Sequence, residues 1–518
     1  MKAETSEIAI RTVNLCKSFK DVYASDHISL DIRRGEILAF LGENGSGKTT
    51  LVNMLAGIYF PDSGEIHVNG RQVTIRSPRD AFDLGIGMVH QHFKLIDVFS
   101  AAENIVLGLP GPMNIDRKAL NRQIREIAQR YGFDLDPEKK VYDMSVSEKQ
   151  TVEIIKLLYR QVDILILDEP TAVLTPQEGR KLFDILKKMK ADNKAIVIIT
   201  HKLNEVMDVS DRVHILHKGR FVGSVNTAET NAHELTEKMV GRSVSLAIDR
   251  AETEGKSLKM EIRDLSCHNE EGRNMLHQIN FDLFGGEILG VAGIAGSGQK
   301  ELCEALAGLQ PLSSGQIFYH RDGNIRDMAG EPPLEMIRQG ISMSFVPEDR
   351  LGMGLVAAMD MTDNVMLRSY YQNHGPFVDR KTPKDLAEKM IAQLEISTPG
   401  VSTPVSLLSG GNVQKVLLGR EIANAPQVLI VAYPVRGLDI NSSYTIYNLL
   451  NEQKKKGVAI LFIGEDLDVL LELCDRIMVL CGGQISGTVD ARSSSKEELG
   501  LLMTGHKAET KEESSHAQ

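Results

Sequence analysis

Two long stretches of this chain repeat one another. The pattern Gly-Glu-Ile-Leu at residues 35–38 returns 251 positions later at 286–289, and the pattern at 210–213 returns 264 positions later at 474–477. Self-similarity over such a distance means that one folding unit occurs twice in tandem. The offset grows by 13 between the two matches, so the second copy carries an insertion, which we expect in a surface segment.

The repeat predicts the domain organisation. The expected segments are a first domain over residues 1–245, a linker over 246–256, a second domain over 257–505 and a disordered tail over 506–518. In each copy, short apolar runs alternate with helical patterns, which indicates a largely parallel α/β sheet. A mostly helical arm is expected near residues 95–145 and again near 352–408.

The composition is that of an ordinary globular chain. Hydrophobic residues make up 42% and the net charge is −11, so a general attraction to nucleic acid is not expected. No apolar run is long enough to cross a bilayer, and the N-terminus lacks the apolar core of a signal peptide. The five cysteines form no Cys-x-x-Cys pair and are expected to be free buried thiols.

A phosphate-binding loop lies near the start of the first copy. Residues 42–49 fit Gly-x-x-x-x-Gly-Lys-Ser/Thr and follow an apolar run at 37–41 that is typical of a buried strand. Glycines let backbone N–H groups converge on phosphate oxygens, and the next helix adds its N-terminal dipole. In this pattern Lys48 reaches the β- and γ-phosphates, and the Thr49 hydroxyl ligates Mg²⁺. The predicted ATP-binding residues here are Gly42, Glu43, Asn44, Gly45, Ser46, Gly47, Lys48, Thr49 and Thr50.

Two carboxylates follow another apolar run of the first copy. Residues 164–167 lead into Asp168 and Glu169, so a buried strand delivers both to its C-terminal edge. We expect Asp168 to hold Mg²⁺, directly or through water, and Glu169 to polarise the attacking water. His201, after a further apolar run, could contact a γ-phosphate, and Gln91 could sense Mg²⁺ or the water. The predicted catalytic residues are therefore Glu169, His201 and Gln91, and the predicted magnesium ligands are Thr49, Gln91 and Asp168.

With these motifs the chain resembles the ATP-binding cassette (ABC) class over about residues 8–505. The resemblance implies an α/β fold of two tandem P-loop NTPase cassettes. Each cassette would have a RecA-like core, an antiparallel β-subdomain and a helical arm that contacts a partner. The resemblance also places Phe19 at the position where the class stacks an aromatic ring on adenine; the alternative is that Phe19 is a plain core phenylalanine.

The class has a signature loop, Leu-Ser-Gly-Gly-Gln, that opens a helix and caps a γ-phosphate held by another cassette. In the second copy it reads Leu-Ser-Gly-Gly-Asn, and the implied capping residues are Ser409, Gly410, Gly411 and Asn412. In the first copy Ser145 remains, but Val146 and Ser147 replace both glycines. Glu148 then brings a negative charge toward the phosphate position.

The second copy has lost the reactive side chains instead. Gln299 and Lys300 stand in place of the lysine and the hydroxyl residue, although the loop glycines survive. Ala432 cannot hold Mg²⁺, and Tyr433 is a poor base at neutral pH. Two further acids, Glu348 and Glu465, stand where the first copy has Gln91 and His201. The predicted degenerate site comprises Gly293, Gly296, Gly298, Gln299, Lys300, Ala432, Tyr433 and, from the first copy, Ser145.

Cassettes of the ABC class sandwich ATP head to tail. Paired in that way, the Lys48 loop faces residues 409–412 and forms one complete site, while the Gln299 loop faces residues 144–148 and forms a ruined one. We infer one hydrolytic site in each chain, with ATP driving closure and hydrolysis allowing reopening. Whether the second site binds ATP or ADP stays open, because its glycines favour binding and its lost cations oppose it.

The tandem arrangement and Val-Pro-Glu-Asp-Arg at residues 346–350 resemble the ATPases of bacterial sugar and nucleoside importers. Residues 85–93, 172–176 and 498–503 look most like the nucleoside branch, with ribose or galactoside import as the alternative. The resemblance implies ATP and Mg²⁺ as cofactors. It implies two integral-membrane permeases and an external (extracellular or periplasmic) solute-binding lipoprotein as partners, no nucleic acid, and a peripheral location at the cytoplasmic face of the membrane.

A twin-cassette translation factor is the alternative from another class. Such proteins typically keep both sites complete and carry a long, charged helical linker between the halves. Here one site is degenerate and the linker is short. The import hypothesis is therefore preferred.

Overall fold

A computed structural model describes residues 8–20, 22–90, 93–109, 116–172, 174–200, 202–240, 248–253, 255–269, 272–370 and 377–505. The chain forms two compact units, Met1–Ser245 and Leu246–Gln518. Both units have the same order of strands, as the duplicated sequence predicts.

The first unit opens with a four-stranded antiparallel sheet. Its strands are β1 (Ile8–Phe19), β2 (Val22–Arg33), β4 (Ser63–Val68) and β5 (Arg71–Val73), in the order β2-β1-β4-β5. Buried residues alternate with more exposed ones along β2 from Ile28 to Arg33, because successive side chains of a strand point to opposite faces. Ile10, Leu15 and Ile28 belong to the buried face and join the core below the sheet.

A six-stranded sheet forms the centre of the first unit. Its strands are β3 (Ile37–Leu41), β6 (Ile86–Val89), β7 (Ile164–Asp168), β8 (Ala195–Ile199), β9 (Arg212–His217) and β10 (Arg220–Asn226), in the order β10-β9-β3-β8-β7-β6. All neighbours are parallel except β10, which pairs antiparallel with β9. Strands β3 and β8 are buried at every residue, as expected where both faces of a parallel sheet are covered.

Eight helices complete the described part of the first unit. They are α1 (Lys48–Leu55), α2 (Pro78–Asp83), α3 (Ala101–Val106), α4 (Arg117–Tyr131), α5 (Val146–Tyr159), α6 (Pro176–Ala191), α7 (Leu203–Val209) and α8 (Ala232–Val240). Helices α3, α4 and α5 pack on one another around Ile105, Ile124 and Ile155, which gives the arm a small core of its own.

The second unit repeats both sheets. The antiparallel sheet contains β11 (Ser257–His268), β12 (Asn274–Gly285), β14 (Leu312–Arg321) and β15 (Asn324–Asp327), in the order β12-β11-β14-β15. The central sheet contains β13 (Glu287–Gly293), β16 (Met343–Val346), β17 (Val428–Ala432), β18 (Ala459–Ile463), β19 (Arg476–Cys481) and β20 (Gln484–Asp490), in the order β16-β17-β18-β13-β19-β20.

The helices of the second unit follow the same plan. They are α9 (Gln299–Leu306), α10 (Pro333–Arg338), α11 (Met361–Met366), α12 (Lys381–Gln393), α13 (Gly410–Ala423), α14 (Ile440–Lys455), α15 (Leu467–Leu473) and α16 (Lys496–Met503). A short π-helix, Arg350–Gly354, lies between β16 and α11, at the start of the helical arm. Such π-turns are rare and are frequent at functional sites.

The described part of the predicted linker belongs to the second unit. Residues 248–253 form neither helix nor strand. The Arg250 guanidinium donates to the carbonyl oxygen of Glu472 at 3.0 Å, and the N–H of Ala251 donates to Asn451 Oδ1 at 3.2 Å. The predicted tail, 506–518, lies outside the described residues.

The structure also bears on two further expectations, one about membrane-spanning segments and one about the cysteines. Within the described ranges, no helix combines the length and apolar character needed to span a bilayer. All five cysteines are free thiols; four are buried and Cys481 is partly exposed.

Candidate active site

The phosphate loop of the first unit connects β3 to α1, and close contacts require its glycines. A Cβ atom at Gly42 would clash with the carbonyl oxygen of Leu216, and one at Gly47 with that of Ala24. Gly47 also has a φ of 97°, in the left-handed region that favours glycine. The Ser46 hydroxyl is buried and has no hydrogen-bond partner within the described part of the chain. A buried hydroxyl in a glycine-lined loop at a helix N-terminus fits a phosphate group.

Lys48 lies folded over this loop, with 8% of its surface exposed. Its Nζ donates to the carbonyl oxygens of Gly42 at 2.6 Å and Glu43 at 3.0 Å. Burial lowers the pKa of Lys48, and the carboxylates of Glu169, Asp168 and Glu43 oppose that shift. The ammonium group is therefore close enough to the acidic pair to interact with both of its members.

The acidic pair stands at the C-terminal end of β7. Burial and, to a smaller extent, the neighbouring Glu169 carboxylate raise the pKa of Asp168 to about 6, and Lys48 opposes this shift. Glu169 has a φ of 47°, and its N–H donates to the carbonyl oxygen of Ile199 at 2.8 Å. A left-handed conformation in a residue of this size is strained and is typical of functional sites.

These side chains fit a magnesium ion. Asp168 is a carboxylate whose neighbour is also acidic, and a divalent cation relieves that repulsion. Thr49, the residue after Lys48, has an exposed side chain and offers a hydroxyl oxygen. Oxygen donors of this kind are the ligands that Mg²⁺ prefers.

A hydrogen-bond network behind the acidic pair holds the loop that follows β7. The Thr171 hydroxyl donates to Glu205 Oε1 at 2.6 Å, and Thr200 donates to Glu205 Oε2 at 3.2 Å. Gln150, from α5, donates to the carbonyl oxygen of Pro170 at 2.7 Å. The loop is thus tied to both α7 and α5.

Other predicted site residues have mixed outcomes. Gln91 and His201 lie outside the described residues, so their roles stay predictions. Phe19 is 44% exposed at the end of β1, which shows that the alternative of a core phenylalanine is wrong. Its ring meets the Tyr59 ring edge-on, with 5.3 Å between centroids, and adenine stacking on Phe19 stays a prediction. Thr50 is partly buried on the first turn of α1.

The N-terminus of α5 is closed by a side chain of its own. Ser145 caps the helix, and its N–H donates to Glu148 Oε2 at 2.7 Å while the N–H of Glu148 donates to the Ser145 hydroxyl at 3.2 Å. Lys139 then pairs with the same carboxylate at 2.7 Å. The carboxylate of Glu148 therefore occupies the place at the helix N-terminus where an anion would bind.

The N-terminus of α13 is open by comparison. Ser409 is its N-cap residue, and its side chain makes no capping hydrogen bond. Asn412 matches Glu148 in position. Its Oδ1 accepts from the N–H of Ser397 at 3.0 Å, and its Nδ2 donates to the Ser409 hydroxyl at 2.9 Å. A Cβ atom at Gly411 would lie 2.6 Å from the Ser442 hydroxyl, so this position requires glycine. The helix dipole and N–H groups here are not neutralised by a carboxylate of the helix itself.

The second phosphate loop keeps its backbone and loses its cation. Gly298 has a φ of 103°, close to that of Gly47. Gln299 is 3% exposed and donates to the carbonyl oxygen of Ile294 at 3.1 Å, so it takes the folded position of Lys48 without the charge. Lys300 points outward and lies 3.7 Å from Glu304. The predicted degenerate loop thus retains its shape, including Gly293 and Gly296.

The acidic pair is absent from the end of β17. Ala432 is buried there, and Tyr433 takes the same strained backbone as Glu169, with a φ of 48°. Burial and nearby carboxylates raise the pKa of Tyr433 above its ordinary range, so the phenol stays protonated at neutral pH. Arg436 forms an ion pair with Glu348 and another, at 3.1 Å, with Glu465. The charged side chains Arg436, Glu348 and Glu465 of the second pocket therefore pair with one another.

Comparison with known proteins decides the family. The family model described as "ABC transporter" matches residues 25–172 and 276–434, once in each unit. The chain belongs to the ABC transporter family. It is an ATPase with two tandem cassettes, which confirms the predicted fold class, the family and the enzyme class.

Curated relatives match almost the whole chain. The nucleoside import ATP-binding protein NupA of Lactococcus lactis is 41% identical over 96% of this chain and 99% of the relative. A glucose import ATP-binding protein of Haloferax volcanii is 38% identical over 97% and 96%. The guanosine import ATP-binding protein NupO of Bacillus subtilis is 40% identical over 96% and 98%.

The sequence reasoning missed several contacts around the two cassette sites. Glu205 supports the loop of the acidic pair, and its counterpart 264 positions later is Val469, just as Val435 replaces Thr171. A position-by-position comparison of the two copies would have found this joint loss of a polar pair. The closure of α5 by Lys139 and Glu148 carried no such signal, because it depends on contacts across the arm.

Proposed function

We propose that this chain is the ATP-hydrolysing subunit of an importer for a nucleoside or a related sugar-like solute. The observation that carries the proposal is the sorting of features between the cassettes. The lysine and carboxylates lie in the first cassette, and the open signature loop, at Ser409, lies in the second. The relatives named for nucleoside and guanosine import support the solute class.

In the proposed mechanism ATP binds at the first phosphate loop. Backbone N–H groups and Lys48 bind its phosphates, and residues 409–412 of the second cassette cover the γ-phosphate when the two cassettes close. Glu169 accepts a proton from the water that attacks the γ-phosphorus, and the bond from that phosphorus to the bridging oxygen of ADP, which lies in line with the water, breaks. Mg²⁺, held through Asp168 and Thr49, would neutralise phosphate charge. Because ATP binds the closed state better than the open one, binding drives closure and hydrolysis reverses it.

The proposed partners are two integral-membrane permeases and an external solute-binding lipoprotein. The chain would lie at the cytoplasmic face of the membrane as a peripheral subunit, held through the arm of each cassette. In such an assembly the partners contact the solute, so none of the residues described above selects it. Sugar import is the second candidate, since the glucose import relative is nearly as similar.

The experiment that tests this proposal is purification of the chain with its partners from detergent-solubilised membranes. We expect two permeases to copurify and ATP hydrolysis by the reconstituted complex to rise when the binding protein is supplied with guanosine or another nucleoside. Stimulation by ribose or glucose alone would favour the second candidate. Copurification with ribosomes, and no permease, would contradict import.

A further inference from the structure

The acids that disable the second pocket are held by one arginine. Arg436 pairs with Glu348 and with Glu465, the residues that replace Gln91 and His201 of the first cassette. Its guanidinium also lies 6.0 Å from the centre of the Tyr433 ring. Three substitutions that remove catalytic function from this pocket therefore surround a single cation.

The same arginine connects the second pocket to the working signature loop. The backbone carbonyl of Arg436 accepts a hydrogen bond from the guanidinium of Arg350, which is partly buried. The other terminal nitrogen of Arg350 lies 3.3 Å from the position a Cβ atom would take at Gly410. Arg350 also begins the π-helix, whose N-cap Asp349 accepts from the N–H of Gly352 at 2.8 Å. The guanidinium is thus held against the first residue of α13.

The first cassette has neither arginine. The positions that match Arg436 and Arg350 are Ala172 and Phe93. At its own signature position this cassette has Glu148, a carboxylate that fills the N-terminus of α5. A guanidinium therefore lies beside one signature loop, whereas the helix N-terminus of the other is filled by a carboxylate that Lys139 pairs.

We propose that Arg350 is an additional ATP-binding residue, which contacts the terminal phosphate of the nucleotide that the signature loop of the second cassette covers. Arg436 is its positioning residue, anchored by Glu348 and Glu465. In this view the altered residues of the second pocket support the working site. The inference rests on the proposed function, because it requires ATP from the first cassette to reach Ser409.

The chemistry favours this role for arginine. A guanidinium presents several N–H donors in one plane and binds phosphate oxygens through paired, charge-assisted hydrogen bonds. The adjacent helix N-terminus already favours an anion, so the two contributions act on the same group. ADP lacks the terminal phosphate, and Arg350 should therefore discriminate ATP from ADP.

The first test measures nucleotide affinity of the full chain in a Glu169→Gln background, in which ATP is not consumed. We expect Arg350→Gln to weaken ATP binding by about tenfold, in line with one charge-assisted hydrogen bond, and to leave ADP binding unchanged. Arg350→Lys should recover part of the ATP affinity. Arg326→Gln is the matched control, since Arg326 also donates to a backbone carbonyl, that of Gln339, at the edge of the antiparallel sheet. Equal loss of ATP and ADP affinity, or no loss, would overturn the proposal.

The second test reverts the acids of the degenerate pocket to the residues of the first cassette. The double variant Glu348→Gln, Glu465→His should lower the ATPase rate of the full chain and its ATP-over-ADP preference, because Arg436 loses its anchors. If this pocket is only a decayed catalytic site, the variant will leave both quantities unchanged or raise the rate. Either of those results would contradict the role given to Arg436.

A third variant separates this inference from the proposed function. Asn412→Glu, in the original Glu169 chain, introduces the closing carboxylate of α5 into the working signature loop. If Asn412→Glu abolishes hydrolysis while Arg350→Gln leaves ATP affinity unchanged, the head-to-tail site is supported and the role of Arg350 is contradicted. If Asn412→Glu also has no effect, the head-to-tail site itself is wrong.

Discussion

The two cassettes share one backbone and differ in the side chains placed on it. Glu169 and Tyr433 have φ values of 47° and 48°, and Gly47 and Gly298 have 97° and 103°. The strained backbone that follows β7 is thus also present after β17, where tyrosine stands in place of the glutamate. We therefore expect hydrolysis to depend on the lysine and carboxylates that only the first cassette carries, and not on the shape of the backbone alone.

The largest effect is expected at Glu169, the residue with the strained backbone after β7. Glu169→Gln removes the proposed general base, and hydrolysis should fall by about 1,000-fold, within the range known for such groups. ATP binding should survive, because the phosphate loop is unchanged. Steady-state phosphate release and a nucleotide-binding titration of the full chain measure the two quantities.

Tyr433→Phe is the matched change in the second cassette. It removes a protonated hydroxyl from the pocket and should alter hydrolysis by less than about twofold, since a phenol of raised pKa is not a base at neutral pH. Abolished activity in this variant would show that the second pocket takes part in the chemistry.

The signature loops give the next largest effect. Asn412→Glu should lower hydrolysis by about 100-fold, because a carboxylate at the N-terminus of α13 takes the place of the γ-phosphate and repels it. The reciprocal change, Glu148→Asn, opens α5 and should leave hydrolysis unchanged. A comparison of the ATPase rates of both variants with that of the parent chain checks the pair. Equal effects of the two changes would remove the distinction between the loops.

A smaller effect concerns stability at the acidic pair. The pKa of Asp168 in the folded chain is about 6, above its ordinary value, so folding opposes loss of its proton. Stability is lost as the pH rises from about 4 through 6. Asp168→Asn should therefore raise the free energy of unfolding of the nucleotide-free chain by about 3 kcal/mol at pH 7.5 and have little effect at pH 4. Calorimetry at the two pH values measures this, and a gain that is the same at both would argue against the carboxylate as its source.

The smallest effect uses a histidine that only the first cassette has. His214 is 1% exposed, and burial lowers its pKa to about 3, while the matching position in the second cassette is Met478. Because the unfolded chain takes up a proton that the folded one excludes, this site loses stability as the pH falls below about 6.5. The loss should reach about 2 kcal/mol at pH 5 and be absent in His214→Met. Thermal unfolding between pH 7 and 5 measures it; an unchanged pH dependence in the variant would contradict it.

Much of this organisation follows from local sequence. Apolar runs that end in Asp168 or lead into Gly42 predict buried strands with functional groups at one sheet edge, and the structure has both. Duplication made each motif visible twice, so its losses could be read directly. Strand β1 extends to Phe19, because its pairing with β2 continues to the hairpin.

The remaining features depend on residues far apart in the chain. Glu205 reaches the acidic-pair loop from α7, and Lys139 reaches Glu148 across the arm. Arg350 and Arg436 are 86 positions apart and meet through a backbone carbonyl, which no residue pattern records. Such contacts depend on the tertiary arrangement of the loops and not on any local pattern.

The most direct test of the account is a structure of the full Glu169→Gln chain with Mg²⁺ and ATP. We predict a triphosphate on the Lys48 loop, with the Ser409 hydroxyl and the N–H groups at the start of α13 within hydrogen-bond distance of its γ-phosphate. A triphosphate bound by Lys48 while Ser409 lies far from any nucleotide would contradict it.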